Sequence, residues 1–260
     1  MNTEKQSKIN QLLSFQPPGT ILQSFWLKEH GYSLDLQKRY KKSRWLESIG
    51  TGALKRVNDT VSYEGAIYAL QKQSKMTIHP GGRTALALLG MGHFMEFTNS
   101  HVVLFGSKND YLPSWFKKHD WGTKINYHQT EFLPAEKFLV EREFKNFSIH
   151  ISTAPRAIME CLYLVPKEQN LIECFHFMES MNNVRPDVVQ QCLESCHSIK
   201  VKRLFLYLAE KANHTWFKKL NIDKIDLGTG KRSVIMNGSY NSKYKITVSK
   251  ELEENGERGI

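Results

Sequence analysis

The sequence predicts a mixed α+β fold, with a small winged helix-turn-helix at the N-terminus and a larger C-terminal α/β domain. Residues 3–57 read in the order helix, helix, helix, β-hairpin. Beyond residue 95, strand-like runs and helical runs follow one another with apolar faces of their own. Positive charge is densest in the first of these regions. Residues 1–58 hold ten Lys and Arg against four Asp and Glu, while the other 202 residues hold 26 against 22.

Thr3 can cap a helix running to about Phe15, in which Ile9, Leu12 and Leu13 recur at helical spacing. Pro17-Pro18-Gly19 ends it. Ser24 can cap a short helix from Phe25 to His30, closed by Gly31. Ser33 caps a third helix, from Leu34 to about Ser43. The stretch WLESIGTGALKRV then reads as a strand (Trp45–Ile49), a turn (Gly50-Thr51-Gly52) and a second strand (Ala53–Val57). A helix from Ser62 to Lys75 turns Ala66, Ile67 and Leu70 inward. A short strand (Met76–His79) and a Gly81-Gly82 turn lead to a helix from Thr84 to Leu89.

In the C-terminal part, strands are expected at Val102–Phe105, Lys124–Tyr127 and Phe147–Ile151. Helices are expected at Ala154–Leu164, Leu171–Met181, Pro186–Cys196 and Val201–Lys211. A late hairpin joins Ser233–Met236 to Lys245–Val248 around Asn237-Gly238. The acidic tail from Glu251 is expected to fray. The domains expected are therefore residues 1–95, with a reading core at about 3–58, and residues 96–260.

The helix from Leu34 to Ser43 divides by angle. At about 100° per residue, Leu36, Tyr40 and Ser43 share one side, and Gln37, Lys38, Lys41 and Lys42 the other. The first side suits packing on the preceding helices. The second presents long donors of the kind that reach base edges and phosphates in a major groove. Gly31-Tyr32-Ser33 has the length and the glycine of a helix-turn-helix turn, and Ser33 can donate to a phosphate. At the wing, Thr51 sits at a glycine-flanked tip, and Lys55 and Arg56 would add phosphate contacts. The expected DNA-binding set is thus Ser33, Gln37, Lys38, Lys41, Lys42, Thr51, Lys55 and Arg56.

Other chemistries find little support. A hydrophobic fraction of 40% with 14 Phe, 5 Trp and 10 Tyr argues for a folded chain. No apolar run is long enough to span a bilayer and no signal peptide opens the chain, so a cytoplasmic protein is expected. Cys161, Cys174, Cys192 and Cys196 lie in apolar, helical-looking segments without paired metal spacing, and are expected as buried thiols. Cys192, Cys196 and His197 offer too few ligands for a structural metal. Leu227 to Ser233 contains Gly-Lys but lacks the earlier glycine of a phosphate-binding loop. Glu143 and Lys145 have no upstream acid to complete a nuclease core. The expectation is no catalytic residue, no metal and no cofactor. The helix at 199–211, with Lys200, Lys202, Arg203 and Lys211, and the segment Trp115–Trp121 are candidate working surfaces of the larger domain.

Longer stretches carry a resemblance. PPGTILQSFWLKEHGYSLDLQKRYKKSRWLESIGTGALKR (residues 17–56) is similar to the N-terminal domain of the AbiEi antitoxin family. The likeness continues through SYEGAIYALQ, HPGGRTALALLG, LPSWFKKHDWG, ISTAPRAIMECLYLVP, IKVKRLFLYLAEKANHTWFKKL and IDLGTGKRSV. The resemblance implies an antitoxin and transcriptional repressor of a type IV toxin–antitoxin operon, met as phage abortive infection. It implies binding of inverted repeats in double-stranded operator DNA by the winged helix. It also implies a C-terminal domain acting against a nucleotidyltransferase-like AbiEii toxin. An enzyme that modifies the toxin, and a winged-helix protein-interaction module without DNA affinity, remain as alternative readings.

Overall fold

The computed structural model describes residues 7–91, 101–234 and 238–254. Thr3, the domain boundary expected near residue 95, and residues 235–237 of the expected late hairpin lie outside them. The chain opens with α1 (Lys8–Phe15), β1 (Leu22–Gln23), α2 (Ser24–Glu29), α3 (Leu34–Lys42), β2 (Leu46–Gly50), β3 (Ala53–Arg56) and α4 (Tyr63–Lys72). Next come β4 (His79–Pro80), α5 (Gly82–Leu88), β5 (Val102–Gly106), α6 (Ser114–Lys118), β6 (Ile125–Gln129), β7 (Leu139–Glu143) and β8 (Ser148–Ser152). It closes with α7 (Ala154–Leu164), α8 (Leu171–Glu179), α9 (Pro186–Ser195), α10 (Ile199–Lys211), β9 (Arg232–Ser233), β10 (Ser239–Asn241), β11 (Ile246–Val248) and α11 (Lys250–Glu254). This mixture of helix and strand is the fold class that the periodicities predict.

The chain forms two compact units. One comprises Met1–His79, Gly106–Lys124 and Glu141–His150, the other Pro80–Phe105, Ile125–Val140 and Ile151–Ile260. In the first unit, α1 begins at Ser7, whose hydroxyl accepts from Asn10 N–H at 3.4 Å. The sheet runs antiparallel in the order β1-β3-β2, with Leu22 opposite Leu54 and Leu46 opposite Arg56. Leu12, Leu22, Leu27, Tyr32, Tyr40, Leu46 and Leu54 form the core between sheet and helices. Gly31 joins α2 to α3 at φ +85°, a left-handed conformation open to glycine without strain. Tyr32 N–H then reaches back to the Leu27 carbonyl at 2.9 Å.

Helix α4 locks this arrangement. It crosses the turn after α1 so closely that a Cβ on Gly65 would lie 1.9 Å from the Gly19 carbonyl oxygen. Asp59 holds the same turn by accepting from Gly19 N–H at 2.8 Å. The buried Gln73 completes the edge of β1. Its carbonyl accepts from Gln23 N–H at 2.8 Å and its amide donates to the Ile21 carbonyl at 2.8 Å. Gln71 does the same for another edge. It accepts from His150 N–H at 2.9 Å and donates to the carbonyls of His150 (2.9 Å) and Ile78 (2.8 Å).

The second unit holds the larger core, with Ile158, Leu162, Phe177, Leu193, Leu204, Phe205 and Leu208 fully or nearly fully buried. Helix α7 packs against α5, α8, α9 and α10. Glu160 of α7 is fully buried, yet its carboxylate is saturated. It accepts from Gly82 N–H (2.8 Å), Ser152 Oγ (2.7 Å) and Arg156 Nε (2.8 Å). Arg156 in turn donates to the carbonyls of Pro134 (2.7 Å) and Lys137 (2.5 Å).

Two expectations need correction. Helix α10 is not a basic surface: Lys202 and Arg203 are 3% and 1% exposed. Arg203 donates to the carbonyls of Leu227 (2.7 Å), Gly228 (2.9 Å), Gly230 (2.6 Å) and Lys245 (3.1 Å), shaping the loop before β9. The late hairpin is also displaced. β10 pairs antiparallel with β11, and β9 joins β11 in parallel. The turn lies at 241–245 because Asn241 Oδ1 accepts from Tyr244 N–H at 3.0 Å, and Lys245 takes φ +52°.

Three measurements check this packing. Gln73→Leu strands the Gln23 N–H and leaves the Ile21 carbonyl only the long 3.4 Å bond from Gln16 Nε2. At about 1–3 kcal/mol for a stranded group, unfolding free energy should fall by about 1–3 kcal/mol. Urea midpoints followed by tryptophan fluorescence would show it, and an unshifted midpoint would remove Gln73 as a clamp. Glu160→Gln leaves Arg156 buried without its anion, and a loss of about 3–5 kcal/mol is expected. Calorimetry that finds wild-type stability would contradict that. Burial raises the thiols of Cys161 and Cys192, and that of Cys196 to about 11. Since the thiolate is the reactive form, the native protein should react slowly with a thiol reagent at pH 8, and all four thiols should titrate after denaturation.

Candidate nucleic-acid interface

Helix α3 forms at its N-terminus through Ser33, whose Oγ accepts from Leu36 N–H at 3.3 Å. This cap uses the oxygen as an acceptor, and the residue stays exposed. Tyr40 points inward at 8% exposure, and Leu36 packs partly against the same core. Lys38, Lys41 and Lys42 are exposed, as expected. Lys38 also meets Asp35 at 3.4 Å, with both side chains more than 70% exposed. An exposed pair of this kind is weak and yields readily to another anion.

Gln37 does not belong to the exposed face. It is 4% exposed, and its amide donates to the carbonyls of Ser24 (3.1 Å) and Tyr32 (2.8 Å). It therefore ties α3 to the start of α2 and to the turn between them. Its place on the outside is taken by Arg39, which is absent from the expected set. The signal was in the helical wheel. Gln37 lies about 60° from the inward Tyr40 and Arg39 about 100° from it, so taking Tyr40 as the centre of the packed face separates the two. Arg44, at φ +55°, and Trp45, 47% exposed, extend the exposed face beyond the helix end.

The wing differs more from expectation. β2 and β3 meet at a tip where Thr51 and Gly52 are exposed. Lys55 is turned to its own hairpin, with Nζ 2.9 Å from Glu47 Oε1 and 2.7 Å from the Asp59 carbonyl. Arg56 turns further in. Its guanidinium donates to the Leu13 carbonyl at 2.6 Å and also to that of Gln16, closing the C-terminal end of α1. Those carbonyls have no partner within the helix, so the guanidinium serves as a C-terminal cap. Lys55 and Arg56 are thus structural members of the wing.

Helix α6 packs against β2. A Cβ at Gly50 would come within 2.9 Å of Trp115 Cβ. Trp115 and Phe116 are buried, and Lys117 and Lys118 are exposed.

The sites set aside on sequence grounds have definite structures. The N–H of Gly82 is taken by the Glu160 carboxylate, so the anion held at the start of α5 is the protein's own. The loop at 227–230 turns its carbonyls to Arg203, whereas a phosphate cradle offers N–H groups. Glu143 and Lys145 are exposed. His197 faces the Glu131 carbonyl at 3.2 Å, while Cys192 and Cys196 are buried. Among the described residues no helix is long and apolar enough to cross a membrane.

Comparison with known proteins agrees with this architecture. A family model described as "Transcriptional regulator, AbiEi antitoxin N-terminal domain" matches residues 5–97. A second, described as "Transcriptional regulator, AbiEi antitoxin, Type IV TA system", matches residues 99–249. No curated protein matches the chain. Among solved structures, the crystal structure of RV2827C protein from Mycobacterium tuberculosis is similar at a TM-score of 0.59 and 10% identity. The match covers 95% of this chain and 92% of that one, a likeness of fold alone. With family models matching nearly its whole length, the chain belongs to the AbiEi antitoxin family, transcriptional regulators of type IV toxin–antitoxin systems.

Proposed function

We propose that the protein represses its own toxin–antitoxin operon by placing α3 in the major groove of double-stranded operator DNA. The observation that carries this reading is the exposed cationic set Lys38, Arg39, Lys41 and Lys42 on a helix whose opposite face is packed, continued by exposed Arg44 just past its end. Cations set against phosphates release condensed counterions, which drives binding at low salt. Leu34, 54% exposed, stands at the helix start, where a reading helix meets base edges, and Lys38 follows about one turn on. One such helix spans few base pairs, so operator recognition uses two copies on an inverted repeat. In this reading Ser33 and Thr51, both exposed, contact the sugar–phosphate backbone.

In this reading operator binding belongs to the first compact unit. The second unit, with its own core, counteracts a nucleotidyltransferase-like AbiEii toxin as a binding partner in the cytoplasm, without catalysis. The family description and a core far larger than a spacer needs support that division.

Lys41→Ala with Lys42→Ala should weaken operator binding and flatten the log-affinity against log-salt slope by about one unit per lost phosphate contact. Full-length protein with both changes should still rescue cells from the toxin. Gln37→Ala should instead lower the melting temperature, with a salt slope close to wild type. Footprinting should protect both half-sites of an inverted repeat. A folded double variant with wild-type operator affinity would refute the assignment of α3.

A further inference from the structure

Lys55 and Arg56 are committed inside the hairpin and to the end of α1. A wing flanking the reading helix therefore has no free cation on β3, although a duplex beside it presents phosphates continuously. The segment packed on β2 has what the wing lacks.

Helix α6 is anchored firmly. Trp115 and Phe116 are 4% and 1% exposed, and Trp115 Cβ sits against the bare backbone of Gly50, next to the tip residue Thr51. The Phe116 and Trp121 rings lie 5.1 Å apart, and Trp121 Nε1 donates to the Phe116 carbonyl at 2.8 Å, folding the chain back after the helix. Lys117 and Lys118 project from this anchored turn into solvent. The segment's acids are engaged nearby. Asp110 accepts from Thr77 N–H and Oγ1 at 2.7 and 2.6 Å, and Asp120 accepts from Gly122 N–H at 2.9 Å.

We propose that α6 is a second phosphate-contacting element, with Lys117 and Lys118 binding the DNA backbone beside the wing without reading bases. The inference rests on the DNA-binding reading above. Its physical basis is charge complementarity on a backbone already fixed by buried aromatic rings, so that only the two lysine side chains lose freedom on binding. A purely structural explanation also exists. Lysines in the last turn of a helix complement its dipole, and in that case their loss would leave DNA binding untouched.

The test uses full-length protein and operator DNA, with affinity measured against salt and against a duplex of scrambled sequence. K117Q/K118Q should weaken binding to both duplexes by roughly the same factor, about tenfold or more near 0.1 M salt, with a slope shallower by about one to two units. K218Q/K219Q removes two exposed lysines of the second unit and should match wild type. A wild-type slope in K117Q/K118Q, or an equal change in K218Q/K219Q, overturns the proposal. If Lys41→Ala/Lys42→Ala weakens binding while K117Q/K118Q does not, α6 alone is excluded and the α3 reading stands. Wild-type protein that binds neither duplex overturns both.

Discussion

The orientation of the exposed basic helix depends on side-chain amides that act as pieces of backbone. A glutamine carries one carbonyl and one N–H₂, so it can pair with a strand edge as a neighbouring strand would. Gln73 of α4 does this for Ile21 and Gln23. Gln23 directly precedes α2, and its own amide donates to the Ala69 carbonyl and Ser74 Oγ at 2.9 and 2.8 Å. The first residue of α2, Ser24, then receives Gln37 of α3. A run of glutamines thus fixes α2 against α4 and α3 against α2. Buried amides are costly when unpaired and specific when paired, so this chain selects one orientation of α3. Gln71 uses the same chemistry to bring His150, distant in sequence, into the unit.

The second unit solves a related problem with charge. Several carbonyls of its connecting segments turn to side-chain donors rather than to a helix or strand. Arg156 gathers those of Pro134 and Lys137, and Arg203 gathers those of Leu227, Gly228 and Gly230 and shares that of Lys245 with Arg232 N–H. A guanidinium suits this task because its donors fan out in a fixed plane and it stays charged when buried. Arg156 also has Glu160 as counter-ion, which offsets part of the desolvation cost. The protein's net charge of +10 therefore overstates the cationic surface, since several basic groups are interior fasteners.

These two devices mark the limit of what the sequence discloses. The periodicity of Leu36 and Tyr40, the glycine at 31 and the paired strands around Gly50-Thr51-Gly52 made the helix-turn-helix and wing legible, because each is a local pattern with a local cause. The resemblance along the chain pointed to the family. The inward turns of Gln37, Lys55, Arg56 and Arg203 are harder to read, because a long polar side chain has the same average preference for solvent whether or not carbonyls wait for it inside. For Arg56 and Arg203 those carbonyls also come from segments distant in sequence, whereas Gln37 and Lys55 are held by neighbours within 13 residues. Leu13 and Gln16 lie some 40 residues from Arg56, and no window of local sequence joins them.

The inward turn of the wing's cations bears on how discrimination would arise on DNA. A wing with free Lys55 and Arg56 would add affinity of the same size on every sequence. With those groups committed, the proposed base contacts fall to α3, where Leu34 and Asp35 stand at the helix start, Lys38 follows about one turn on, and the three differ in chemistry. A leucine can touch a thymine methyl, a carboxylate can accept from cytosine N4, and a lysine can donate to guanine. On the proposed binding, separating the weak Asp35–Lys38 pair would cost little. On this proposal selectivity would belong to the first turns of α3, and general affinity to its later cations together with Lys117 and Lys118 of α6.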